Sequence, residues 1–129
     1  GFYVALAQKR DSLHLRARKW LTLLTEPVLV SEYVLWETVN ALSEPTLRRK
    51  AHRLIRQIRD GDAIDFVPAS DELTDRAIDL HARRSDKEWS LTDCASFLVM
   101  TDRGITQALS HDHHFEQAGF EALLRRDPN

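Results

Sequence analysis

Among 129 residues there are one cysteine, one methionine, four glycines and four prolines. A single cysteine, Cys94, excludes an internal disulfide and fits a reducing compartment. Its place inside an apolar stretch reads as core packing rather than as a nucleophile. No segment approaches the roughly 20 apolar residues that cross a bilayer, and no signal peptide is visible, so a cytoplasmic protein without a membrane partner is expected. There is no glycine-rich phosphate loop, no dinucleotide fingerprint and no Ser-His-Asp order that supports a nucleophilic triad. Internal repeats, low-complexity runs and linkers are also missing, and the length suits one domain over 1–129. The formal net charge is only −2. A nucleic-acid partner would therefore have to meet clustered basic residues rather than a generally basic surface.

What is present alternates between strand-like and helix-like runs. Phe2 to Leu6 is apolar but too short for its period to decide. Ser12 can cap a helix carrying Leu13, Ala17, Trp20, Leu21 and Leu24 at helical spacing. Pro27 to Val30 reads as a buried strand closed by Ser31, followed by a helix over 32–42. Pro45 opens a helix with Leu47, Ala51, Leu54, Ile55 and Ile58 on one stripe, ended by Asp60-Gly61. A strand over 63–67 stops at Pro68. Ser70 caps a helix to about Arg84, and Ser90 starts another that ends at Gly104. Short strands are expected at 106–110 and 120–124. Helical crossovers between strands imply a three-layer α/β/α sandwich with a mainly parallel sheet, in which ligands sit beyond the carboxyl ends of the strands.

Three carboxylates fall near such an edge. Helix 32–42 is apolar on nearly every side, so Glu37 is expected to be shielded from open water and to need a partner. Asp93 lies in the first turn of the helix after Ser90, and Asp112 comes just after the strand over 106–110. Each has an ordinary explanation. Ser90-x-x-Asp93 is a capping-box pattern, Asp112 suits a turn, and Glu37 could form an ion pair. Gathered at one sheet edge, however, the three would repel one another unless a cation joined them. Oxygen-only ligands favour Mg²⁺ or Mn²⁺ over zinc, and such an ion supports phosphodiester hydrolysis.

Other features carry weaker signals. Arg48, Arg49, Arg53 and Arg56, with Lys50 and Arg59, cluster on one helix and could contact RNA or simply be solvated. Trp36 could anchor a partner, but a core position is the simpler expectation. His111, His113 and His114 bracket Asp112. No cysteine or second histidine motif completes a zinc set, so solvent-facing or supporting roles are expected, with His111 or His113 near a scissile phosphate. Thr92 and Ser110 can hydrogen-bond the neighbouring aspartates.

Three stretches together resemble PIN-domain ribonucleases, and most closely the toxins of VapBC-type toxin–antitoxin pairs. They are Val30-Ser-Glu-Tyr-Val-Leu-Trp-Glu-Thr-Val-Asn-Ala-Leu42, Ser90-Leu-Thr-Asp-Cys94 and Leu109-Ser-His-Asp-His-His-Phe-Glu-Gln-Ala-Gly-Phe120. The resemblance implies a Mg²⁺- or Mn²⁺-dependent endoribonuclease, usually a homodimer, neutralised by a cognate antitoxin. By motif position Glu37, Asp93 and Asp112 match the family's second, third and fourth acidic residues. The first lies at the end of an opening central strand, in an Asp-Thr-Ser-like motif. Gly1 to Leu6 resembles the family's segment just C-terminal to that motif, so the strand and its aspartate are absent from this sequence, and Asp11 comes too late to replace it. That departure leaves two alternatives beside the ribonuclease. One is a non-catalytic binding module that keeps the fold, and the other is an acidic-site DNA nuclease.

Overall fold

The computed structural model describes residues 1–129. The chain runs α1 (Phe2–Ala7), α2 (His14–Leu23), β1 (Val28–Ser31), α3 (Glu32–Ala41), α4 (Arg48–Asp60), β2 (Ile64–Val67), α5 (Asp71–Arg83), α6 (Leu91–Arg103), β3 (Gln107–Ala108), α7 (His113–Gln117) and β4 (Glu121–Ala122). Single 3₁₀ turns at Pro45–Leu47 and Leu123–Arg125 lead into α4 and come directly after β4.

Local chemistry sets several boundaries. Ser31 and Ser70 each accept a hydrogen bond from the backbone N–H three residues on, starting α3 and α5. Ser90 does the same for α6, and there the reciprocal bond completes a capping box. Gly104 ends α6 at φ 67°, a left-handed conformation that favours glycine. The expected cap at Ser12 is not formed. Asp11 Oδ1 accepts the Leu13 N–H at 2.8 Å instead, and α2 begins two residues later than Ser12. Phe2 to Leu6, undecided by period, is helical, with Phe2 and Ala5 buried against Ala17 and Leu124.

Every strand pairing is parallel, as the long crossovers demand. Val28 to Ser31 stand opposite Ile64 to Val67, and Gln107 and Ala108 stand opposite Glu121 and Ala122. The sheet is nevertheless divided into two separate pairs, β1–β2 and β3–β4. Between them lies a cavity of about 1090 Å³, bordered by all four residues of β1 and by Gln107 to Ser110. No residue of β2 or β4 lines it, so the free edges of the two inner strands face the cavity. The strands expected at 106–110 and 120–124 shrink to two residues each. They have only each other to pair with, and a short ladder without a second neighbour has little to extend it.

The core is divided in the same way. Val30, Leu35 and Ile58 pack between α3, α4 and the first pair. Ala77, Trp89, Cys94, Ala95 and Phe97 join α5 and α6, with Phe115 and Phe120 alongside. Cys94 is fully buried. Burial first, and the neighbouring Asp93 charge second, push its thiol pKa up, which keeps it protonated and unreactive. No helix is long and apolar enough to cross a membrane.

Two expectations about α3 need correction. Only Leu35 and Thr38 of this helix are buried, and Trp36 is 65 % exposed rather than part of the core. The reason is positional. α3 packs on α1, α4, β1 and α6, whereas Trp36 and Asn40 stay exposed, so an apolar sequence does not translate into burial on every side.

Candidate metal centre

Glu37, Asp93 and Asp112 come from α3, the first turn of α6 and the entrance of α7, and all three line the cavity between the sheet halves. They stand beyond the carboxyl ends of β1 and β3, where a parallel sheet places its ligands.

Asp93 and Asp112 are each held by local donors. Asp93 Oδ2 accepts the Ser90 N–H at 3.0 Å, and the Ser90 hydroxyl accepts the Asp93 N–H at 2.9 Å. Asp112 Oδ1 accepts the His114 N–H at 2.9 Å as the cap of α7. The Ser110 hydroxyl accepts the Asp112 N–H at 3.0 Å and so shapes the turn rather than touching the carboxylate. The ordinary explanations of both aspartates, a capping box and a turn, are therefore correct as local descriptions. They engage one oxygen of each carboxylate and leave Asp93 Oδ1 and Asp112 Oδ2 without a protein donor.

Glu37 is different. The residue is solvent-exposed overall, not shielded as its helix suggested. Its carboxyl end is nonetheless crowded. Partial desolvation first, then the Asp93 charge, raise its pKa above the ordinary value, with a further push from Asp112. The Thr92 side chain acts in the opposite direction. This mutual repulsion is a physical sign that the three carboxylates share one field. An all-oxygen set in that field fits a hard divalent cation.

The histidines divide unequally. His111 is exposed, and so is His113, whose Nδ1 lies 3.6 Å from Asp112 Oδ1. His114 takes the supporting role that the sequence allowed all three histidines without choosing between them. Its Nδ1 lies 3.1 Å from Asp93 Oδ2 and 3.2 Å from Asp112 Oδ1, joining the two aspartates. A signal was available in the Asp-x-His spacing at the start of a short helix, which turns the second side chain back over the cap. Asp112, His113 and His114 are also the group whose candidate ligand atoms lie within 4.8 Å of one another.

Arg48, Arg49, Arg53 and Arg56 are all exposed on α4. Arg48 Nε donates to the Ser43 carbonyl at 2.8 Å, and no carboxylate neutralises any of the four. A shallower groove adjoins the acidic rim. Glu32, Tyr33, Trp36, Asn40 and Ala69 line it, and it shares Glu37 and Thr92 with the main cavity.

Residues 2–121 match the PIN domain family. The chain is 30 % identical over 123 residues to the 23S rRNA-specific endonuclease VapC20 of Mycobacterium tuberculosis, in both strain CDC 1551 / Oshkosh and strain ATCC 25618 / H37Rv, covering 93 % of this chain and 91 % of the relative. A crystal structure of M. tuberculosis VapC20, described as a Sarcin-Ricin loop cleaving toxin, superposes with a TM-score of 0.85 at 28 % identity, over 92 % of this chain and 91 % of that one. With the match running through α3, α6 and the Asp112 turn alike, the chain belongs to the PIN domain family.

Proposed function

We propose that this protein is an endoribonuclease toxin that hydrolyses RNA phosphodiester bonds at the acidic rim, with Glu37, Asp93 and Asp112 holding a Mg²⁺ or Mn²⁺ ion. The observation that carries the reading is the meeting of three carboxylates from three separate elements around one cavity, close enough for Asp93 and Asp112 to raise the Glu37 pKa. Likeness to a 23S rRNA-specific endonuclease supports RNA as the substrate class. When bound, such an ion supplies activation of a water molecule and stabilisation of the leaving oxygen.

The remaining work belongs to the chain's own side chains. Thr92 lies close enough to the Glu37 carboxyl to lower its pKa, and Ser110 holds the turn that presents Asp112. His111 and His113 stand exposed beside Asp112, where they can donate to a phosphate oxygen of the substrate. Arg48, Arg49, Arg53 and Arg56 attract the phosphate backbone that the acidic rim would otherwise repel. A cognate antitoxin neutralises the enzyme in the cytoplasm. We assign the exposed Trp36 to that contact, because a partner seated on it would also cover the groove that reaches Glu37. The working unit is a homodimer.

The alternative reading is a PIN-like binding module that keeps the fold without catalysis. Incubation of the purified protein with structured ribosomal RNA, with Mg²⁺, Mn²⁺ or a chelator, decides between them. Cut ends at discrete positions that vanish on chelation support the ribonuclease. Intact RNA under every condition supports the module, and cleavage of matched DNA instead would overturn the choice of substrate.

A further inference from the structure

His114 is the polar side chain at the rim to which the chemistry above gives no task. Its Nδ1 is hydrogen-bonded to Asp93 Oδ2 at 3.1 Å and lies 3.2 Å from Asp112 Oδ1 in a close charge contact. Two carboxylate oxygens against one ring nitrogen require that nitrogen to carry a hydrogen, since a lone pair facing two anions is repelled. The imidazole is mostly covered, at 16 % side-chain exposure, and so is Asp93 at 15 %. The contact is therefore poorly screened by water.

Position gives the ring its meaning. Asp93 and Asp112 line the cavity, as do Thr92, His111 and Phe115, but His114 does not. The imidazole thus meets the two carboxylates from outside the cavity lining. It also meets the same two oxygens that the local caps already use. Asp93 Oδ2 takes the Ser90 N–H, and Asp112 Oδ1 takes the His114 N–H. Three donors thus converge on two oxygens, and the other oxygen of each aspartate stays free.

We propose that His114 is a positioning residue that ties Asp93 to Asp112 from outside the cavity lining and leaves one oxygen of each for the divalent ion. The inference rests on the reading that these aspartates hold such an ion. Without the ring, two like charges on separate elements repel and each carboxylate regains rotation about its last bond. A cation then has to order both. Donors behind metal-binding carboxylates act in this way, and their loss costs about 10- to 100-fold in metal affinity.

The test uses the whole chain. Mn²⁺ binding is measured by calorimetry and by electron paramagnetic resonance for the wild type, His114→Ala, His114→Gln and His114→Asn. Asparagine sets an amide N–H near the place of Nδ1, whereas glutamine carries it too far. His114→Ala and His114→Gln should lose about 10- to 100-fold in Mn²⁺ affinity, and His114→Asn should recover most of it. Long-range proton–nitrogen correlation on the metal-free wild type should show Nδ1 protonated at pH 8, a readout that stands even if His114→Ala does not fold. Three results would overturn the proposal: Mn²⁺ affinity in His114→Ala within twofold of wild type, a bare Nδ1 at pH 8, or nitrogen coupling to Mn²⁺ that disappears in His114→Ala, which would make the ring a ligand. Wild-type protein that binds no Mn²⁺ at all would instead overturn the metal reading on which this one stands.

Discussion

The two walls of the acidic cavity solve the same electrostatic problem in different ways. On one wall, Asp93 and Asp112 are surrounded by donors: the Ser90 N–H, the His114 N–H and the His114 ring. On the other, Glu37 projects from a helix whose neighbouring Trp36 is exposed, and its pKa rises from partial desolvation and from the aspartates it faces. The first wall is pre-ordered by local hydrogen bonds. The second is held ready by position alone and keeps the unfavourable energy that a cation would relieve. A candidate metal site can be fixed on one side and responsive on the other, and these carboxylates divide in that way.

Removing a charge from the ordered wall should have the largest effect. Asp93→Asn is expected to lower RNA cleavage at least about 100-fold. The melting temperature should stay within about 2 °C, because asparagine can still accept the capping bond. Cleavage at wild-type rates would remove Asp93 from the site. On the responsive wall, Trp36→Ala should weaken antitoxin binding by about 2 kcal/mol, roughly 30-fold, without altering RNA cleavage by the free protein; unchanged affinity would move the antitoxin elsewhere.

A subtler change on the ordered wall is Ser90→Ala. Loss of the capping box should cost about 1 kcal/mol, or about 4 °C in Tm, and Mn²⁺ should bind several-fold more weakly because Asp93 is no longer held. A stability loss with unaltered Mn²⁺ affinity would separate capping from ligand placement. The smallest effect concerns Glu37→Gln. A carboxyl whose folded pKa is raised stabilises the fold below the ordinary glutamate range, and that contribution disappears as pH climbs through the folded value. Metal-free Glu37→Gln should therefore melt slightly above wild type at pH 7 and level with it at pH 3.5. Equal melting at both pH values would mean that Glu37 feels no repulsion from the aspartates.

Helix starts set by short-range chemistry could be read from the chain. Ser70, Ser90 and Gly104 do in the fold what their types and spacing suggest, because a cap depends on residues three or four apart. The three acidic positions were legible from local pattern plus topology, since a parallel sheet brings loops after different strands to one edge. Where the outcome depended on distant neighbours, the reading went astray. The α3 sequence is apolar on nearly every side, yet Trp36 is exposed. Ser12 lost its cap to Asp11, one residue earlier, which reaches the Leu13 N–H first. His114 stood beside two histidines of identical chemistry. Only the turn of α7 over Asp112 separates the bridging ring from its exposed neighbours.

The cavity between the sheet halves leaves Glu37 anchored beyond β1 and the two aspartates beyond β3, with no ladder of backbone bonds crossing from one strand to the other. Glu37 and Asp93 sit on α3 and α6, two helices that pack directly on each other, so a substitution that shifts that contact changes the distance between the opposing acids.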